Sequence, residues 1–293
     1  MHQKAAFALK LLFFGSGAYG IVPNPVLAAT EATFRSIERN IDRFIRLRLS
    51  EYIDPARHRM AKYLGAGPEE IVFVPSCSHG LNTVLRNLLW NEGDIIVGGT
   101  YRLPIYQSIP QLSTLPTATT TYSSVERTLQ YIADLPPHPS VSVFELQFPT
   151  TRASALQAFR VHLDALNTEL QIAQRKIGNR TKLKIVAVIN SISSVPGVYL
   201  PWKEMVALCR ERGVLTVIDA AHSIGQEPNI NLSEADPDFW ASVGAYSSAR
   251  TKPHALSPFQ NCYKWFYACR PCGILYVPRR YALHAEKLNH SSS

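Results

Sequence analysis

A chain of 293 residues, 46% hydrophobic and 18% charged, is long enough for one large α/β domain or two ordinary ones and too apolar to be a disordered linker. Its net charge of +8 is scattered without a basic tract, which argues against nucleic-acid binding. No apolar run reaches the roughly 18 residues a membrane span needs, and five cysteines, an odd set, argue against a disulfide framework and for a reducing, cytoplasmic setting.

In chain order, Lys4 and Lys10 flank the start of an apolar stretch that loosely resembles a secretory leader, but Gly15, Gly17, Gly20, Pro23 and Pro25 break it. From Pro25 to Ala66, charged and apolar residues mix at helical spacing. Ile71 to Val74 is a β-branched and aromatic run and predicts a strand. Pro75 to Gly80 then reads as a turn, and Leu81 to Trp90 as a helix with Leu81, Val84, Leu85, Leu88 and Leu89 on one face. Ile95 to Val97 begins another strand, and Val141 to Leu146 and Ile185 to Ile189 are two more. Pro201 opens a helix to about Arg212 that Gly213 ends. Val214 to Ile218 is a continuous apolar strand of the kind buried in parallel sheets.

Strands alternating with helices imply a mostly parallel α/β sheet flanked by helices. Ligands of such sheets bind beyond the carboxyl ends of the strands, which singles out Ser76 to Gly80, Asn190 to Gly197 and Asp219 to Gln226. Asp219 ends a buried strand, where a carboxylate needs a cationic partner. That partner is open at this point: a metal, a ribose, a helix end or a protonated ring. Lys264 lies between Tyr263 and Trp265, a setting that lowers an amine's pKa and suits a nucleophilic lysine, though a lysine snorkelling past an aromatic patch reads the same way. Ser78, before Gly80, puts a hydroxyl near a helix N-terminus, as a phosphate site or as an ordinary cap. Cys269 and Cys272 form a CxxC pair with no second pair at zinc spacing, so no metal site is expected.

The order of these features resembles the class V aminotransferase-like pyridoxal-phosphate enzymes of fold type I. Gly17-Ala18-Tyr19-Gly20 is similar to that family's N-terminal glycine-rich segment, and Ser76 to Val84 to its phosphate turn. Asp219-Ala220-Ala221-His222 with Gln226, and Asn261-Cys262-Tyr263-Lys264-Trp265 with Tyr263 where histidine is usual, resemble its other motifs. The resemblance implies Lys264 as the Schiff-base lysine, Asp219 at the pyridinium nitrogen and His222 near the phenolic oxygen. It implies Cys77, Ser78 and Asn261 around the phosphate, Ser194 at cofactor or substrate, and Tyr122, with Tyr101 as competitor, stacked on the ring. It also implies a homodimer acting on a small amino-acid-type substrate. C–S cleavage of the hercynylcysteine sulfoxide lyase type is the favoured activity, with epimerase, aminotransferase and desulfurase activity or an inactive truncated fold as alternatives.

The expected organisation is an N-terminal helical segment over 1–66, a cofactor-binding large domain over 67–280 and a tail over 281–293. Two stretches interrupt the resemblance, 98–119 and 243–260, and read as surface loops or as translated introns. The resemblance also implies a C-terminal small domain with the arginine for the substrate carboxylate, a role to which no residue here is assigned, so that domain is expected to be missing.

Overall fold

The computed structural model describes residues 22–102, 121–178, 181–194, 197–242, 269 and 271–281, with 100–102 described by their backbone alone. Gly17 to Gly20, Asn261 to Trp265 and the stretch 243–260 therefore lie outside the described residues. The elements in order are α1 (Asn24–Glu38), α2 (Ile41–Leu47), α3 (Leu49–Leu64), β1 (Ile71–Val74), α4 (Cys77–Asn87), β2 (Ile95–Arg102) and α5 (Ser123–Asp134). There follow β3 (Ser140–Gln147), α6 (Arg152–Ile177), β4 (Ile185–Asn190), α7 (Trp202–Glu211), β5 (Leu215–Asp219), α8 (Leu232–Ala235), β6 (Phe239–Ser242) and β7 (Gly273–Tyr276). They fall into two compact units, one from Leu81–Ala220 with Ala235–Ala241, the other from Met1–Gly80, Ala221–Glu234 and Ser242–Ser293.

The first of these units is built on parallel pairing of β3 with β2, β2 with β4, β4 with β5 and β5 with β6. β4, Ile-Val-Ala-Val-Ile-Asn, is buried at every position, which explains why it reads as a continuous apolar run instead of an alternating one. Helices cover both faces. On one, Leu129 of α5 approaches Gly98 closely enough to contact a Cβ placed there. On the other, Val97 and Gly99 share a cavity wall with Phe159 of α6 and Met205 of α7, as the two-residue period of a strand requires. α6 buries Ala155, Phe159, Leu163 and Leu166 at helical spacing, and Phe159 meets Phe144 of β3 edge-on with centroids 5.1 Å apart. Full burial of one such aromatic stabilises the fold by about 1.5–3 kcal/mol.

At the amino ends of the strands a buried carboxylate ties β2 to β4. Asp94 is 0% exposed. Its Oδ1 accepts from the Lys184 N–H at 2.9 Å, and its Oδ2 accepts from the Asn91 N–H at 2.8 Å and pairs with Lys184 Nζ. The Lys184 ammonium also lies 5.1 Å from the Trp90 ring centroid. A similar clasp joins β5 to the start of β6, where Asp238 Oδ2 accepts from both the N–H and the hydroxyl of Thr216.

In the second unit, β1 and β7 pair antiparallel with Val74 opposite Gly273. α3 ends on Gly65 at φ +62°, and a Cβ there would lie 2.6 Å from Asn231 Oδ1. Glycine is required twice over, by the left-handed backbone and by that close approach. The Gly65 carbonyl accepts from the Ser233 N–H, which fixes the 221–234 segment against the end of α3.

Several expectations are adjusted. The helical segment after Pro25 is three helices separated at Asn40 and Arg48, Asn40 capping α2 by accepting from the Arg43 N–H. Residues 98–102 of the presumed first interruption belong to β2, and only 103–120 lie outside the described residues.

Candidate active site

The carboxyl ends of the parallel strands collect the polar residues. Asp219 ends β5 and is 3% exposed; in the parallel register it stands beside Asn190, the last residue of β4, and beside Ala241 of β6. Backbone bonds pin the position from both sides, because the Asp219 carbonyl accepts from the Ser191 N–H at 3.0 Å and the Ala220 N–H donates to the Ala241 carbonyl at 2.8 Å. A short hairpin follows β4. Its closing bonds run from the Ser193 N–H to the Val198 carbonyl and from the Leu200 N–H to the Ser191 carbonyl. Ser194 is exposed on this hairpin, at the same edge of the sheet as Asp219.

Tyr122 reaches that edge by another route. Thr121 bonds twice to β2: its Oγ1 accepts from the Gly99 N–H at 2.9 Å, and its own N–H donates to the Gly99 carbonyl at 3.1 Å. Gly99 lies four residues into β2, level with the end of β4 in the register that sets Val97 against Ala187. Tyr122 follows immediately as the residue before α5 and is 46% exposed. The structure thus brings Asp219, Asn190, Ser194 and Tyr122 to one edge of one sheet.

The remaining expected residues belong to the other unit. Ser76, not Ser78, caps α4: its Oγ accepts from the His79 N–H at 3.1 Å. The helix therefore begins at Cys77, four residues before the sequence-based start, and Ser78 lies inside its first turn. The polar Cys-Ser-His-Gly stretch lacks the apolar periodicity that signals a helix, and the cap supplies what periodicity does not. Cys77 is buried at 4% exposure. Gly273 of β7 packs on this turn so tightly that a Cβ would lie 2.7 Å from the Ser76 carbonyl carbon. His222 is half-buried in the turn that follows β5. Lys264 and Asn261 fall outside the described residues.

Burial pushes the Cys209 and Cys272 thiols up to about 12, so neither is a thiolate near neutrality. Among the described residues no cluster of His, Cys, Asp and Glu is arranged to hold a metal, and no helix is long and apolar enough to cross a membrane.

Residues 147–245 match the model of the family Aminotransferase class-V. Over these residues the chain is similar to the class V aminotransferases. Its curated relatives include the L-cysteine desulfhydrase-like protein lolT1 of Epichloe uncinata, 26% identical across 90% of this chain and 47% of the relative. Another is the hercynylcysteine sulfoxide lyase of Schizosaccharomyces pombe, 26% identical across 77% of this chain and 44% of the relative. The chain spans about half the length of these curated relatives. Among solved structures, the cystine C-S lyase C-DES in complex with its product cysteine persulfide superposes with a TM-score of 0.64 at 19% identity, covering 91% of this chain and 57% of that one. A mutant of C-DES with glycine covalently linked to its PLP cofactor gives a TM-score of 0.65, also at 19% identity, over 91% and 56% of the two chains. At that identity the class V likeness to solved structures is one of fold.

Proposed function

We propose that this chain forms the cofactor-binding part of a pyridoxal-phosphate-dependent enzyme that breaks a C–S bond in a cysteine-derived substrate. The observation that carries the reading is the buried Asp219 carboxylate at the carboxyl end of a central parallel strand. A buried carboxylate there is suited to a cationic ligand, and a protonated ring nitrogen is one. The donor set fits the cofactor in one further way: beside Asp219 lies the buried amide of Asn190, whose Oδ1 has no hydrogen-bond partner among the described residues. The relatives named as cysteine desulfhydrases and as a hercynylcysteine sulfoxide lyase support the choice of bond.

When bound, pyridoxal phosphate supplies an electron sink for the carbanion left at the substrate Cα. The chain's own residues have these roles in the proposal. Asp219 keeps the ring nitrogen protonated. Tyr122 covers the ring face, and Cys77, Ser78 and Asn261 hold the phosphate. His222 faces the phenolic oxygen and Ser194 touches cofactor or substrate. Lys264 would hold the cofactor through its amine and would carry the Cα proton, a role that rests on its motif alone. A homodimer is part of the same reading, supported by Leu27, Phe34, Ile41 and Ile45, which stand 54–60% exposed on α1 and α2.

The test is the absorption spectrum of the purified chain titrated with pyridoxal phosphate, followed by borohydride reduction and peptide mapping. A band near the visible that reduction traps on Lys264 is expected; a folded chain that shows no band overturns the reading. An epimerase is the alternative that a relative supports, an isopenicillin N epimerase of Amycolatopsis lactamdurans at 25% identity. Products separate the two, since C–S cleavage of a cysteine conjugate releases pyruvate and ammonia and epimerisation releases neither.

A further inference from the structure

Asn190 is 5% exposed, and its Oδ1 has no hydrogen-bond partner among the described residues. Leaving a buried amide oxygen unsatisfied costs about 1–3 kcal/mol, so its presence at the end of an otherwise apolar strand needs a cause. The strand that Asn190 ends is apolar and buried at all its other positions, and the cavity that the strand end borders is otherwise lined by apolar residues, among them Val97, Phe144, Leu146, Val188 and Met205.

The register gives a cause. Asn190 and Asp219 are in-register neighbours on adjacent parallel strands, so their side chains leave the sheet on the same face. An amide oxygen without a donor therefore stands next to a buried carboxylate. Two acceptors side by side, one of them anionic, select a cationic N–H donor over a neutral or anionic group. A protonated heteroaromatic nitrogen has that chemistry. We infer that Asn190 is a second contact, beside Asp219, for the ring-nitrogen end of the bound cofactor, and that the chain retains it at the expense of stability in the cofactor-free state. The inference rests on the cofactor reading above and extends it to a residue outside the family-like motifs.

Asn190→Leu tests it through binding and stability, without an activity assay. The expected result is a cofactor-free variant that unfolds at or above the wild-type temperature, since the unsatisfied amide is gone. The same variant is expected to bind pyridoxal phosphate about tenfold more weakly, the loss that corresponds to one hydrogen bond to a charged donor, with the absorption band of the bound cofactor displaced. Wild-type affinity and an unmoved band in the variant overturn the assignment. So does a cofactor-free variant that unfolds well below the wild type, because Asn190 is then structural. Asn190→Ala is measured in parallel, and a folded alanine variant with wild-type affinity overturns the assignment even if the leucine variant does not fold. A wild-type chain that binds no pyridoxal phosphate removes the cofactor reading itself and this inference with it, whereas binding by the wild type with unchanged variants removes the inference alone.

Discussion

Asp219 was legible in the sequence because an acid at the end of Leu-Thr-Val-Ile is out of place unless a cation meets it. Replacing it with asparagine keeps shape and burial and removes the charge. Asp219→Asn is expected to weaken pyridoxal-phosphate binding by about 10–100-fold, the worth of a hydrogen bond to a charged group, with an unchanged circular dichroism spectrum; fluorescence titration measures it. Asn190 was less legible. It closes a strand of the same composition, but an asparagine at a strand end is also an ordinary start to a turn, and only the register reveals what stands beside it. His162 on α6 shows a different residue-level effect. Its Nε2 lies 3.2 Å from Ser142 Oγ, and burial lowers its pKa below the usual 6.5. The unfolded chain takes up this proton near pH 6.5 and the folded chain only at lower pH, so stability falls as pH drops through that window. His162→Gln is expected to flatten the fall between about pH 6.5 and 5 in urea-unfolding curves.

At the scale of elements, β1, β3, β4 and β5 were read nearly to their ends because β-branched runs bounded by turn residues leave few alternatives, whereas β2 was cut short at Val97 and β6 was not read as a strand. The long α6 was passed over, although Ala155, Phe159, Leu163 and Leu166 mark its buried face at helical spacing. The motifs around it drew the reading to neighbouring segments. The start of α4 was misplaced because caps are made by single side chains, here Ser76. That turn is held from outside by β7. Gly273→Ala forces a Cβ to 2.7 Å from the Ser76 carbonyl carbon, and backbone cannot yield as a flexible side chain can. The variant is expected to lose about 1–3 kcal/mol of stability, the usual cost of overpacking, in denaturant titration. Its affinity for inorganic phosphate and pyridoxal phosphate is expected to fall together as the cap shifts.

At the scale of the whole molecule, the parallel sheet divides its labour between its two ends. The carboxyl ends carry the acid, the amide and the tyrosine of the candidate site; the amino ends carry the Asp94–Lys184 pair, which touches none of them. Lys184→Met leaves the Asp94 carboxylate buried without its cation and is expected to cost about 3–5 kcal/mol. Pyridoxal phosphate affinity measured well below the unfolding temperature is expected to stay at the wild-type value. Coupled loss of both would show that the two ends are not independent. What the sequence could not convey at this scale is the grouping of segments. Ala221–Glu234 clusters with the N-terminal helices through contacts such as Ser233 to Gly65, far apart in sequence.

The pair of bonds between Thr121 and Gly99 has a practical consequence. It acts as a clasp, bringing the chain back to β2 however much sequence intervenes. Tyr122, the residue that the clasp delivers to the sheet edge, therefore depends on one hydroxyl: Thr121→Val, which removes the acceptor, is expected to cost about 0.5–1.5 kcal/mol in denaturant titration and to weaken pyridoxal-phosphate binding measured on the folded variant.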